Sequence, residues 1–587
     1  MTAHHPATRC HSSIRRLPLV LILFLGLFPG LALGAEPRIG IADVSQEIAD
    51  NIRAHLGLAR EGCDLPDWRR RPLLRNADGE IRAALRALGH YEPVFTLDFK
   101  RTQTCWSLDI TLDPGPPVRV RTLDIQIMGE AEQDPVFTDL LQSLPLGPGD
   151  RLRHDRYEQI KSSLNRQAAA RGYLQARMTT SQMRVDVSAQ AADLIIHLDS
   201  GPRHVMGPVT LDQDAFHDRL VRRFIAFEPG EVYDSQRLIA LQQAFIDSGY
   251  FSDVRVEPRI DEVEQQQVPI QVTLTPRNRW SYLAGVGVTT DKGPRMRLGL
   301  ENHRVNRAGH RYQAELSLSA VDTRLGLGYD IPLGDPARER IGFTGGYQRE
   351  RTDTTDSDLH SLGITHLRQL PSGWTRTRSL TFEQEDYKVA DIRDSTTLLM
   401  PGFQLSRVQT DHPIFPRQGW RLNLSLRGAS EDILSTLSFA QATGRARYIM
   451  PLGEGRLLLR ADAGTTAVQE FVTLPSSIRF FAGGDNSVRG YGYRKLGPTN
   501  DNGDIIGGRH LASGSIEMDY PFAEQWSMAM FADGGNAFNH LNDWNVRYGV
   551  GAGVRWRSPI GPIRVDIAHP IDGKDNFRLH LTMGMDL

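Results

Sequence analysis

Few side chains in this 587-residue chain are spaced for covalent chemistry. It has no G-x-S-x-G elbow, no phosphate-binding glycine loop and no H-E-x-x-H helix, the spacings that build a serine nucleophile, a nucleotide cradle or a zinc hydrolase. A lumenal Ser/His/Asp set is the one enzymatic alternative left open, and no catalytic residue, metal ligand or cofactor site is assigned. His204 and His217 stand in loops without a clustered partner, so both are expected on the solvated surface. Cys10 lies in an export segment, which leaves Cys63 and Cys105. In an oxidising compartment such a pair predicts a disulfide, the alternative being two buried free thiols. The other notable groups are carboxylates on alternating strands. Ser515, Glu517 and Asp519 share one face of a segment whose other face is Ile516, Met518 and Tyr520. In the next segment Phe531 and Asp533 lie opposite Trp526, Met528 and Met530.

These residues need elements to hold them, and the first is a signal for export. Arg9, Arg15 and Arg16 precede an apolar run from Leu17 to Leu33, and Ala32, Gly34 and Ala35 supply a small-residue cleavage site. Residues 1–34 therefore read as a signal peptide, with an uncleaved anchor as the alternative. Its loss leaves 65 basic against 70 acidic residues, too near neutral for a general attraction to nucleic acid. No later run approaches 18 apolar residues, so any membrane crossing must be a closed barrel, which alone satisfies the backbone without helices.

Residues 36–276 alternate helix patterns with short strands and repeat themselves. Leu112-Asp113-Pro114-Gly115-Pro116 closes one unit and Leu198-Asp199-Ser200-Gly201-Pro202 the next. Helices end at Gly172-Tyr173 and Gly249-Tyr250, with a looser copy at Gly89-His90-Tyr91. Aligning the glycines superposes Leu164 on Leu241 and Ala168 on Phe245, each pair on one helix face. This β-α-α-β-β unit resembles the polypeptide-transport-associated (POTRA) domain, and three are expected, over 36–116, 117–202 and 203–276.

Residues 277–587 change to period-two alternation. Trp420, Leu422, Leu424 and Leu426 oppose Arg421, Asn423, Ser425 and Arg427, and Tyr548 to Trp556 oppose Gly549, Gly551, Gly553 and Arg555. Charge on the second face excludes a dry sandwich core. Apolar-out and polar-in is the pattern of an outer-membrane barrel, here of about 16 antiparallel strands by counting segments. One long insertion, near 466–510, interrupts the eleventh and twelfth.

Within it, Val488-Arg489-Gly490-Tyr491 is similar to a signature of the outer-membrane assembly superfamily that includes BamA, TamA and two-partner secretion transporters. Asp411 with Phe415-Pro416-Arg417-x-Gly419, and Ser558-Pro559-Ile560-Gly561-Pro562 with Arg564-x-Asp566, resemble two more of its motifs. The resemblance implies that the loop folds back into the lumen and that Arg489 meets acids on strands twelve and thirteen. The strand phase makes Glu517 and Asp533 those acids. Three POTRA units match the TamA-type branch. That implies an outer-membrane protein with periplasmic N-terminal domains, which helps insert or fold proteins such as autotransporters by β-augmentation and a lateral barrel seam. It further implies a TamB-like inner-membrane-anchored partner, unfolded outer-membrane protein substrates, contact with outer-membrane lipid, no nucleic acid and no cofactor. The seam, between a first strand near 280–289 and a last near 578–584, is expected to be weakly paired, with Gly285, Gly287 and Gly584 thinning its packing. A two-partner-type secretion pore or a passive channel is the competing reading.

Overall fold

The computed structural model describes residues 36–558, 561–572 and 577–583. The export segment and Gly584 lie outside these residues. Three α/β units precede a 16-stranded antiparallel sheet. The first unit runs β1 (Arg38–Ala42), α1 (Gln46–His55), α2 (Asp67–Ala87), β2 (Val94–Arg101) and β3 (Trp106–Asp113). The second runs β4 (Arg119–Met128), α3 (Pro135–Gln142), α4 (His154–Ala170), β5 (Arg177–Asp186) and β6 (Ala191–Asp199). The third runs β7 (Val205–Asp212), α5 (Asp218–Arg222), α6 (Ser235–Ser248), β8 (Phe251–Pro258) and β9 (Gln267–Pro276). In each sheet the last strand is central, parallel to the first and antiparallel to the second.

One face of each central strand is apolar and covered by helices. In the first unit Trp106, Leu108, Ile110 and Leu112 are buried, as are Ala77, Ile81, Ala84 and Leu85 of α2, whose spacing makes a single helical stripe. Cys63 and Cys105 are joined in a disulfide with Cα atoms 4.5 Å apart, tying the segment before α2 to the β2–β3 turn. Gly89, Gly172 and Gly249 all take left-handed φ values, as caps that end a helix require. Leu164, Ala168, Leu241 and Phe245 are buried as their alignment predicts.

The cap at Gly172 overturns one expectation. His204 is not on the surface but buried, with Nδ1 2.9 Å from the Gly172 carbonyl oxygen, which also accepts the His204 backbone N–H at 2.9 Å. A carbonyl beyond a helix end needs donors, and an imidazole N–H supplies one while the ring fills space. His217 is exposed and precedes α5.

The chain divides into two compact bodies, one of residues 36–167 and 175–201, the other of 168–174 and the chain from 202 onward. Within the first, Val118 N–H donates to the Gly89 carbonyl at 2.8 Å, and Arg151 and Arg153 both pair with Glu47 of α1. The Arg151 hydrogen bond, with help from Arg153, holds the Glu47 carboxyl below its usual range. Within the second, the Gly-Tyr motif sits on the barrel. Tyr250 donates its O–H to the Gly309 carbonyl at 2.6 Å, and Arg311 stacks 3.8 Å from the Tyr250 ring centroid. Arg223 donates to the Gly334 carbonyl at 2.8 Å. Burial pushes the Tyr250 hydroxyl up from its usual value.

The barrel strands are β10 (Trp280–Thr289), β11 (Gly293–Asn302), β12 (Arg311–Ser319), β13 (Asp322–Pro332), β14 (Glu339–Arg351), β15 (Thr355–Gln369), β16 (Thr375–Val389) and β17 (Ile392–Thr410). They continue as β18 (Gly419–Ala429), β19 (Phe439–Leu452), β20 (Gly455–Val468), β21 (His510–Ala523), β22 (Trp526–Phe538), β23 (Arg547–Ser558), β24 (Gly561–Pro570) and β25 (Arg578–Met583). Their number equals the sequence count. Ile516, Met518 and Tyr520 are 59%, 38% and 44% exposed, whereas Ser515, Glu517 and Asp519 are buried, so the phase is as expected.

Consecutive strands pair by regular antiparallel ladders from β10 to β25. Among the described residues no such ladder joins β25 to β10. Instead Leu581 N–H donates to Thr290 Oγ1 at 3.0 Å, and Arg295 Nη2 donates to the Met583 carbonyl at 3.2 Å. The seam is bridged by side chains.

Replacing both Cys63 and Cys105 by alanine is expected to lower the stability of the first unit by about 4 kcal/mol, from loop-closure entropy returned to the unfolded chain. Denaturant unfolding of the full chain, followed by Trp106 fluorescence, measures this; an unmoved midpoint contradicts it.

Candidate functional site: the inward loop and its arginine

The 41-residue connection between β20 and β21, residues 469–509, is folded against the barrel's inner wall. Arg489 is 3% exposed, and its five guanidinium N–H groups all find acceptors. Nε and Nη2 donate to the two oxygens of Asp533 at 2.7 and 2.9 Å. Nη1 donates to Glu517 Oε2 at 2.7 Å and to Asp566 Oδ2 at 3.0 Å, and Nη2 also reaches Ser515 Oγ at 3.3 Å. The Arg489 backbone N–H adds a 3.0 Å bond to Asp533 Oδ2, and the guanidinium carbon lies 3.3 Å from the Phe531 ring centroid. Glu517 and Asp533 are thus both brought to Arg489, as the strand phase requires.

Two more arginines complete the cluster. Arg555 bridges Glu517, at 2.9 Å, and Asp566. Arg460 donates to Ser515 Oγ at 3.0 Å and lies 3.5 Å from Asp533. Three carboxylates therefore face three guanidiniums, so the buried charge is balanced, the condition under which burial of ions is tolerable. A lysine in place of Arg489 has one ammonium for acceptors that lie in several directions.

Asp566 was not singled out in the sequence as a partner, although it belongs to the Arg564-x-Asp566 motif. It comes from β24, three strands beyond Glu517, and only the curvature of the sheet brings the two together. A signal was present in β23. A Cβ on Gly549 would stand 1.9 Å from the Arg489 carbonyl oxygen, and one on Gly553 would stand 2.0 Å from Asp566 Oδ1. The loop backbone thus lies against β23 at Gly549, and Gly553 makes room for the acid it binds.

The rest of the loop is anchored at separate points. Val488 is fully buried beside Ala482 and Leu496, with Tyr491 packed against them, and the Gly490 N–H donates to His580 Nε2 on β25 at 2.9 Å. Glu385 of β16 is buried and accepts from Ser476 Oγ at 2.6 Å, from Ser357 Oγ at 2.8 Å and from Ser477. Arg494 pairs with Glu350 at 3.0 Å, but is 20% exposed in its side chain. The other motifs are turn devices. Asp411 Oδ1 accepts from the Arg417 and Gln418 backbone N–H groups at 3.1 and 3.2 Å, and Ser558 donates to the Gly561 carbonyl at 2.6 Å. Pro559 and Ile560 lie outside the described residues.

Arg489→Ala leaves three buried acids with two arginines, so it is expected to destabilise the seated loop by about 3–5 kcal/mol, less where lumenal water reaches the acids. Arg489→Lys should recover little of this, and Arg494→Ala should cost less than Arg489→Ala. Limited proteolysis within 469–509, with chain integrity checked by mass spectrometry, reads loop release; equal protection in wild type and Arg489→Ala contradicts the assignment.

Comparison with known proteins gives the arrangement its relatives. A family model described as the Omp85 superfamily domain matches residues 301–586, one for the POTRA domain TamA domain 1 matches 39–114, and a POTRA model described as a surface antigen variable number repeat matches 206–277. The outer membrane protein assembly factor BamA of Neisseria meningitidis serogroup B is 22% identical over 544 residues, covering 80% of this chain and 67% of that protein. The BamA of Nitratidesulfovibrio vulgaris is 24% identical over 395 residues, 62% of this chain and 49% of that one. The chain thus spans between about half and two thirds of these relatives. The crystal structure of BamA from Haemophilus ducreyi lacking POTRA domains 1–3 matches with a TM-score of 0.67 at 17% identity, over 80% of this chain and 99% of that one, which shows a shared fold. The chain carries an Omp85 superfamily domain behind POTRA domains, one of them TamA-type, and is homologous to BamA, as an outer-membrane β-barrel with its POTRA domains in the periplasm.

Proposed function

We propose that this protein is an outer-membrane protein assembly factor that receives unfolded barrel substrates and helps them insert. The observation that carries this reading is the seam. An unpaired backbone group facing hydrocarbon costs several kcal/mol, so a barrel serving only as a pore gains by zipping β25 to β10. Here the described parts of these strands meet through Thr290, Arg295 and the backbone groups they bind. Opening such a junction exposes few bonds and presents an edge to which an incoming strand adds. The outer strands of the three POTRA sheets offer further edges, among them β2, where Val94 is 72% exposed. The relatives named as assembly factors support the same reading.

The finer assignments belong with this proposal. Autotransporters are the substrates, the partner is a TamB-like inner-membrane-anchored protein, and the protein acts without a covalent step. The TamA-type match over 39–114 supports this branch. A secretion pore is the competing function, and it predicts ion or polypeptide passage through the lumen as the main activity.

A disulfide engineered between β10 and β25 is expected to abolish substrate assembly while leaving the barrel folded and its partner bound; an active cross-linked protein contradicts lateral opening. Deleting 36–276 is expected to leave an insertable barrel that neither captures the TamB-like partner from membranes nor restores assembly in cells. Assembly supported by the barrel alone sinks that division of labour.

A further inference from the structure

A second buried polar cluster ties the inward loop to both edges of the seam. Asp291 is on the β10–β11 turn, Asp485 is in the loop and His580 is on β25. Asp485 is 6% and His580 1% exposed. The Asp485 N–H donates to Asp291 Oδ2 at 2.6 Å, Thr290 Oγ1 donates to Asp485 Oδ1 at 2.9 Å, and His580 Nδ1 is 2.6 Å from that same oxygen. The Gly490 N–H donates to Nε2, which leaves Nδ1 as the ring nitrogen that donates to Asp485.

The electrostatics differ from those at Arg489. Two carboxylates approach each other, and among the described residues no arginine or lysine forms an ion pair with either. Of the nearby cations, Lys292 pairs with Asp322 at 3.1 Å and Arg494 with Glu350 at 3.0 Å, while Arg578 acts on Asp291 through its charge without pairing with it. Asp291 Oδ1 is buried with no hydrogen-bond partner. A cavity of about 440 Å³ opens beside the two carboxylates, walled by Asp291 and Asp485 and on its far side by Lys292, Arg295, Arg494 and Arg564, with His580 behind its wall. Gly484, at φ +107°, lets the Asp291 carboxylate in, for a Cβ there would be 2.5 Å from Oδ2.

One ligand atom from each of Asp291, Asp485 and His580 lies within 4.8 Å of the other two. We propose that these three side chains form a seat for one divalent transition-metal ion of the Zn²⁺ class, which fastens the first hairpin, the inward loop and the last strand together across the seam. The ion's two charges cancel the two carboxylates and give Asp291 Oδ1 its missing partner. Mixed imidazole and carboxylate donors suit Zn²⁺ and its neighbours, whereas Mg²⁺ and Ca²⁺ take all-oxygen shells. Ligation through Nδ1 moves the ring proton to Nε2, opposite the Gly490 N–H. The seat therefore exchanges one tether of the V-R-G-Y turn for a metal bond, which couples occupancy to the loop.

The test uses the full-length protein in detergent, stripped with a chelator and titrated with Co²⁺ or Zn²⁺ alone, so its outcome does not depend on assembly activity. We expect one Co²⁺ per chain, seen by its d–d absorption and displaced by Zn²⁺, and a Zn²⁺-dependent rise in thermal unfolding temperature. Asp291→Asn and His580→Gln should each weaken Zn²⁺ binding at least tenfold, with folding checked by circular dichroism. Wild-type protein that binds no stoichiometric Zn²⁺, or prefers Mg²⁺ or Ca²⁺, overturns the proposal whatever the variants do. Folded variants that bind as tightly as wild type overturn it equally.

Discussion

A buried guanidinium with every donor used is the constraint around which the barrel interior is organised. Glu517, Asp533 and Asp566 come from three different strands, and burying them together is tolerable only because Arg489, Arg460 and Arg555 are buried with them. Arg489 is the one of the three cations that the loop supplies. Seating the loop and neutralising the wall are therefore a single event. Gly549 of β23 follows from the same requirement, since a side chain there would hold the loop backbone away from its acids, while Gly553 leaves room for the Asp566 carboxylate.

Strong locking of the loop stands beside weak closure of the barrel. Ladders within the sheet run up to 15 residue pairs, as between β15 and β16, whereas β10 and β25 meet through side chains in the described residues. The loop touches β25 through Gly490 and His580 and touches the first hairpin through Asp485. It consequently spans the seam that the backbone does not. A strand junction carried by a few side-chain contacts has a lower opening cost than a ladder in hydrocarbon, and the contacts that set that cost are charged and hydroxylic, so they respond to what binds near them.

The third POTRA domain shows how a repeat motif acquires a local use. Its Gly-Tyr pair ends α6 as Gly172-Tyr173 ends α4, yet the Tyr250 hydroxyl also reaches Gly309 and its ring stacks under Arg311. The same tyrosine that closes a helix becomes the domain's contact with a barrel turn.

Much of this was legible in the chain itself. Strand phase, set by a period of two, placed Glu517 and Asp533 on the lumen face before any contact was known. Helix-ending glycines located the repeats, because the left-handed cap narrows the choice of residue. The count of alternating segments reached 16, and the two mature cysteines pointed to their disulfide. Long-range closure was not legible. Asp566 joins the Arg489 cluster only when β24 curves round to face β21, and nothing in local periodicity states which strands become neighbours across a lumen. His204 was misplaced for a related reason, since a loop histidine is solvated until another element's carbonyl requires it. The meeting of Asp291, Asp485 and His580, drawn from positions nearly 300 residues apart, is likewise a property of the closed barrel. Local pattern decides which face a side chain occupies, and only the fold decides what that face meets.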